Sequence, residues 1–279
     1  MGRSGGSTAF VLGGGGVLGA TQVGMLRALL ERDVRPDLIV GTSVGALNGA
    51  IVASDPSPAS VATLDRLWSS MSEQGVFADS MLVRAARLTR ERTHLHSSAP
   101  LRTMLAAQLP VTEFDQLPVR FECVAASIER ATAHWFNTGP IIDAVIASCA
   151  VPGLFAPAVV GGEHFYDGGL VHSIPIGRAL ALGATRIFVI HVGRVEQVLR
   201  PPRWPWEVGL VAFEIARRHR FVEELAQVPD SVDIHVLPSG EADTPLVSVR
   251  YRDARHAATR MQRAYEASAG YLSRISATR

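Results

Sequence analysis

The ten residues Asp37-Leu38-Ile39-Val40-Gly41-Thr42-Ser43-Val44-Gly45-Ala46 constrain this chain more than any other part of it. A short apolar strand runs into Gly-x-Ser-x-Gly, and small helix-compatible residues follow at once. That order is what a nucleophile elbow requires: a serine on a tight strand-to-helix turn, with its hydroxyl projecting outward. Side chains at the flanking positions would collide with the incoming strand or the outgoing helix, and Gly41 and Gly45 remove them. A helix starting at Ser43 also aims backbone amides and its positive dipole end at any oxyanion forming there. The five-residue motif recurs by chance. The strand before it and the helix after it are what turn the reading from a glycine-rich turn to a catalytic serine.

A second stretch precedes it. Thr8 to Leu12 reads as a buried strand, Gly13-Gly14-Gly15-Gly16-Val17-Leu18-Gly19 as a loop, and Ala20 to Arg32 as a helix. Successive glycines expose main-chain N–H groups that no side chain shields, which makes an anion cradle. Two chemistries use such a cradle: a dinucleotide pyrophosphate, since Gly14-x-Gly16-x-x-Gly19 matches that fingerprint, or the oxyanion of acyl transfer. A dinucleotide site wants an acidic residue near the end of the next strand to hold the ribose. Here that strand ends in Gly41-Thr42-Ser43, and the nearest acid, Asp37, lies at its start. The spacing therefore weighs against a dinucleotide, while a βα turn without any ligand stays open.

Pro157 to Tyr166 reads as a hairpin turning at Gly161-Gly162, and it delivers Asp167-Gly168-Gly169. By itself an aspartate before two glycines marks a turn. It gains meaning beside a serine in need of a base. All 27 basic residues are arginine, so a Ser-Lys dyad, a Schiff-base lysine and a P-loop are excluded together. A hydrolase triad would end in a late histidine. His219 sits in Arg217-Arg218-His219-Arg220 and His256 in the arginine-studded stretch from Arg250 to Arg260, both read as solvated helix faces. His235 alternates with apolar neighbours on a strand. None occupies a loop after a strand, and carboxylate becomes the preferred base.

At this point the chain resembles the patatin-like phospholipases, lipid acyl hydrolases with a Ser-Asp dyad and no histidine. Three blocks carry the resemblance in order: the loop Gly14 to Gly19, the elbow Gly41 to Gly45, and Asp167-Gly168-Gly169. The approach Ala147 to Pro157 and the sequel, Ile174-Pro175 leading into an Arg178 to Leu182 helix, are similar too. Two departures stand out: Leu18 where the family usually has arginine or lysine, and Ser173 where relatives more often show asparagine.

The resemblance implies an α/β, patatin-like three-layer fold, with a central mostly parallel sheet covered by helices on both faces. It implies a catalytic domain over residues 7–195, with a helical insertion at about 55–118, and a helical extension over 196–279 packed on the same domain. It also implies Ser43 as nucleophile and Asp167 as base, with the amides of Gly14, Gly15 and Gly16 as oxyanion hole. Gly19, Gly41, Gly45, Gly168 and Gly169 are the motif glycines, the substrate is a phospholipid or other fatty-acyl ester, and no cofactor or metal is implied. Leu18 leaves the backbone donors intact but removes any added charge. Two rivals remain: a non-catalytic lipid- or acyl-binding module, and a nucleotide-binding regulator using the glycine loop.

With 279 residues, 47% apolar and 19% charged, the chain is long enough for a sizeable core and is not disordered. A formal net charge of +1 argues against nucleic-acid binding by gross basicity. Cys123 and Cys149 read as buried thiols in a reducing compartment. No leader segment is evident, and the apolar stretch Leu38 to Ala53 is broken by Thr42, Ser43 and Asn48, so a cytoplasmic protein is expected, with peripheral contact at the inner membrane face as an option. Two features bear on that option. In the arginine cluster Arg84, Arg87, Arg90 and Arg92 the first three, at three-residue spacing, make one charged helix face that reads as solvated surface or as contact with anionic headgroups. Trp204 and Trp206 introduce a helix from about Glu207 to Gln227 and read either as core packing or as an interfacial anchor. A second amphipathic helix is expected near Tyr251 to Ser273. Oligomeric state is not legible.

Overall fold

The computed structural model describes residues 6–74, 94–192, 195, 198–240 and 256–277. Within them the strands are β1 (Thr8–Leu12), β2 (Leu38–Thr42), β3 (His94–His96), β4 (Arg120–Ser127), β5 (Thr132–Phe136), β6 (Gly153–Phe155), β7 (Ala158–Val160), β8 (Glu163–Asp167), β9 (Arg186–Ile190) and β10 (Asp233–Val236). The helices are α1 (Ala20–Leu30), α2 (Val44–Ser54), α3 (Pro58–Gln74), α4 (Ala99–Gln108), α5 (Ile141–Ser148), α6 (Ile176–Ala181), α7 (Pro205–Ala226) and α8 (Ala257–Ala277).

The runs Ala9-Phe10-Val11-Leu12 and Ile187-Phe188-Val189-Ile190 are apolar without alternation because both sides of their sheet are covered. β1 lies between β2 and β9, parallel to both; β10 extends the sheet beyond β9 and β4 extends it beyond β2, again in parallel. The antiparallel strands β5 and β8 pair with β4, and β7 pairs with β8. The central sheet is thus mixed and mostly parallel. Alternate residues of its strands serve two separate cores. Phe10, Leu12, Ile39, Phe188 and Ile190 pack with α1, α2, α3 and α8. Ala9, Val11, Leu38, Val40, Ile187 and Val189 pack with Ile174, with Ile176 and Ala179 of α6 and with Phe221 of α7. Helix, sheet, helix: three layers.

Several boundaries differ from the sequence reading. α2 begins at Val44, and Ser43 caps it from outside. The 55–118 segment is not purely helical, because β3 forms a two-stranded parallel ladder with β6. A three-residue strand has no periodicity of its own; a partner far along the chain creates it. β5, likewise unsigned in sequence, is an edge strand reached by a turn with Ala131 at φ 50°. The turn between β7 and β8 puts Gly161 and Gly162 at φ 59° and 82°, the left-handed pair a two-residue hairpin demands. Arg84, Arg87, Arg90 and Arg92 lie outside the described residues. Among the described residues, no helix is long and apolar enough to cross a membrane.

Candidate active site

Ser43 sits between β2 and α2 at φ 55°, ψ −124°, a conformation an L-residue adopts only under constraint. The constraint is visible. The Ser43 N–H donates to Ser148 Oγ at 2.9 Å, and the Ser148 hydroxyl donates to the Val124 carbonyl at 2.6 Å. The Thr42 hydroxyl donates to the His172 carbonyl at 2.7 Å, and the Ser43 carbonyl accepts from Ala46 and Leu47 to start the helix. Close approach explains the flanking glycines: a Cβ at Gly41 would lie 2.6 Å from the Gly45 carbonyl oxygen, and one at Gly45 only 2.2 Å from that of Leu12.

Asp167 ends β8. The Ser43 hydroxyl donates to Asp167 Oδ2 at 2.5 Å, and the Gly169 N–H donates to Oδ1 at 2.7 Å. Both side chains are nearly sealed from solvent, each residue being 6% exposed. Desolvation pushes the Asp167 carboxyl up to about 6, against the opposing pull of the Ser43 hydroxyl and the Gly169 amide. An aspartate so shifted is a competent proton acceptor near neutrality, which a free carboxylate at ~3.9 is not. Cys149 is buried beside the pair; burial first, and then the Asp167 charge, hold its thiol well above the usual range. It therefore stays protonated near neutrality. Cys123 is also a free, buried thiol.

The glycine loop runs alongside. The Gly13 and Gly14 N–H groups donate to the carbonyls of Ile190 and Ser173 at 2.9 and 2.8 Å. Gly14 is thus engaged with protein, which departs from its expected place among three open donors. Among the described residues, the N–H groups of Gly15 and Gly16 donate to no protein acceptor. Gly16, at φ 58°, turns the chain into a short 3-10 segment that ends at Gly19. Buried amides brace the loop. Gln22 Nε2 donates to the Gly13 carbonyl at 2.6 Å, and Asn48 Nδ2 bridges Gln22 Oε1 and the Gly19 carbonyl at 2.9 and 3.1 Å. The Trp68 indole N–H completes the chain at Asn48 Oδ1, 3.0 Å away. Leu18 is buried in the apolar core and presents nothing polar. Gly168 packs so tightly on β4 that a Cβ would lie 2.1 Å from the Val124 oxygen.

No imidazole hydrogen-bonds Ser43 among the described residues. His219 is exposed and pairs with Glu223. His235 lies on β10, three strands from β2 and so roughly 14 Å away, with Nδ1 3.0 Å from the Tyr271 hydroxyl. The run containing His219 is not uniformly solvated as the sequence suggested: Arg217 is 7% exposed and reaches the glycine loop. Helical periodicity at 100° per residue separates it from its exposed neighbour His219. Ser148 and Cys149 were legible only as part of the approach to Asp167; nothing in their spacing marks contact with the elbow.

The model of the patatin-like phospholipase family matches residues 10–180, and the chain belongs to that family. It is 28% identical over 190 residues to Lysophospholipase nte1 of Aspergillus terreus, covering 68% of this chain and 12% of the relative. It is 29% identical over 192 residues to Patatin-like phospholipase domain-containing protein 7 of Mus musculus, covering 68% and 14%. The match thus spans only a small part of these curated relatives. The crystal structure of VipD from Legionella pneumophila is similar to 96% of this chain and 67% of its own, at 14% identity and a TM-score of 0.49.

Proposed function

We propose that the protein is a serine lipid acyl hydrolase of the phospholipase A, lysophospholipase or carboxylesterase type, acting through Ser43 and Asp167. The observation that carries the reading is the 2.5 Å hydrogen bond from the Ser43 hydroxyl to a buried aspartate. Asp167 takes the proton as Ser43 Oγ attacks the ester carbonyl. The tetrahedral oxyanion accepts hydrogen bonds from the Gly15 and Gly16 amides, and the leaving alcohol departs with a proton from Asp167. An acyl-serine remains, and water, deprotonated by Asp167, hydrolyses it. The names of the lysophospholipase relatives agree with a lipid ester as substrate. Residues 7–195 form the catalytic unit in this reading, with 196–279 as an extension on it. Exposed Trp204, just before α7, and Val208, Ile215 and Val222 along it support peripheral contact with a lipid surface; of Trp206 only its place in α7 is described.

A fluorophosphonate probe combined with p-nitrophenyl butyrate tests the reading. Labelling at Ser43 with ester turnover is expected. Neither labelling nor turnover, with liposome or acyl-chain binding retained, would instead identify a binding module; thermal stabilisation by NAD without labelling would identify a nucleotide binder.

A further inference from the structure

Arg217 projects from α7 into the interior and touches the glycine loop from outside the segment that the family model covers. Its guanidinium divides its donors between two tasks. Nε and Nη2 grip Glu214 Oε2 and Oε1 at 3.0 and 2.7 Å, which fixes the plane of the fork. Nη1 is thereby directed at the Gly14 carbonyl and at Ser173 Oγ, each 3.2 Å away. Glu214 is itself anchored by Arg218 Nε at 2.9 Å. Both side chains of the pair are almost completely buried. Taking two charges out of water is costly, and the planar guanidinium fork, once gripped on one side, leaves Nη1 a single direction.

The consequence follows from peptide planarity. The Gly14 carbonyl and the Gly15 N–H belong to one rigid trans unit and point in opposite directions. Holding the carbonyl therefore aims the N–H. The preceding peptide is pinned in the same way, by the bond from the Gly14 N–H to the Ser173 carbonyl. Ser173 thus accepts at both its oxygens, its carbonyl from the Gly14 N–H and its hydroxyl from Arg217 Nη1. A run of glycines has no side chains to restrict such rotation, and Leu18, buried among apolar residues, supplies no polar contact to the loop.

We propose that Arg217 is a positioning residue of the oxyanion site, setting the Gly14–Gly15 peptide so that the Gly15 N–H faces the developing oxyanion. The inference rests on the proposed hydrolase activity. Its effect belongs in the transition state, so kcat falls while KM holds.

Three variants test it on p-nitrophenyl butyrate: Arg217→Lys, which keeps the charge beside Glu214; the double variant Glu214→Gln with Arg217→Gln, which removes both charges of the buried pair and leaves an amide oxygen facing Arg218; and Arg217→Ala. Misaiming a donor costs less than deleting one, so kcat should fall roughly tenfold to hundredfold in each, with KM within about twofold. Fluorophosphonate labelling of Ser43 should slow in parallel, and free guanidinium should restore part of the rate to Arg217→Ala but none to Arg217→Lys. Unchanged kcat in any folded variant overturns the assignment, as does a KM rise without a kcat loss. Should the double variant fail to fold, the Lys variant decides alone. Wild-type protein that neither turns over ester nor accepts the probe defeats the hydrolase reading itself, a result distinct from an active wild type with an indifferent Arg217.

Discussion

Thr42 and Asp167 end their strands on adjacent rungs of one edge of β4: Thr42 stands opposite Val124 and Asp167 opposite Ala125. Cys123 and Val124 pair with β2 on one side and with β5 on the other, while Ala125 to Ser127 pair with β5 and β8. β2 and β8 therefore share an edge, one running parallel to β4 and the other antiparallel, and they meet end to end. The residue after Thr42 is Ser43. This collision of strand termini brings together two side chains 124 positions apart and seats them at the ends of sheet strands.

Removing either member of the pair should abolish hydrolysis, and the two losses should differ in stability. Ser43→Ala and Asp167→Asn are each expected to reduce p-nitrophenyl butyrate turnover to background. Because the folded carboxyl sits at about 6 and an ordinary aspartate at 3.8, ionised Asp167 costs the fold about 3 kcal/mol at neutral pH. Asp167→Asn relieves that cost, so its melting temperature at pH 7.5 should match or exceed wild type. A melting temperature several degrees below wild type would count against the raised pKa.

The pH dependence carries a sign. Asp167 must be ionised to accept the serine proton, so kcat/KM should climb as pH rises through about 6 and level off above it. Between the unfolded value of 3.8 and about 6 the native state holds a proton that the unfolded chain has released, so this group makes stability fall as pH rises across that window. Activity and this part of the stability should therefore move in opposite directions. A pH–rate profile flat from 5 to 8 would remove Asp167 as the base.

Gly45→Ala and Gly209→Ala form a contrasting pair. The first sets a methyl group 2.2 Å from the Leu12 oxygen, where backbone must move, and should cost several kcal/mol or prevent folding. The second adds a methyl group with nothing within 4 Å, inside α7, and should stabilise by roughly 0.5–1 kcal/mol. Chemical denaturation of both variants checks the prediction.

Lipid contact is tested on α7. Each exposed apolar side chain buried at an interface contributes roughly 1.5–3 kcal/mol. Ile215→Asp with Val222→Asp should therefore weaken sedimentation with phosphatidylglycerol vesicles at least about tenfold, leaving turnover of soluble ester within about twofold. Unchanged sedimentation would remove this face from the proposal.

Much of the fold was legible because its signals are local. The apolar runs of β1, β2 and β9, the 161–162 turn and the elbow's strand-turn-helix order each depend on neighbours within a few residues. β3 was not legible, since it exists only through its ladder with β6. Nor was the distinction between Arg217 and His219, because a helix pattern says that a residue lies on a face but not what that face meets.

Residue order alone determined the family, the three-layer architecture and the glycines at the elbow, where adding a single carbon would strike backbone. Which amides of the glycine loop stay open, where Arg217 reaches and how far the Asp167 carboxyl rises were decided only in three dimensions. The reason is physical: hydrogen-bond partners and desolvation are set by atoms distant in the chain, and both change steeply over one or two ångströms.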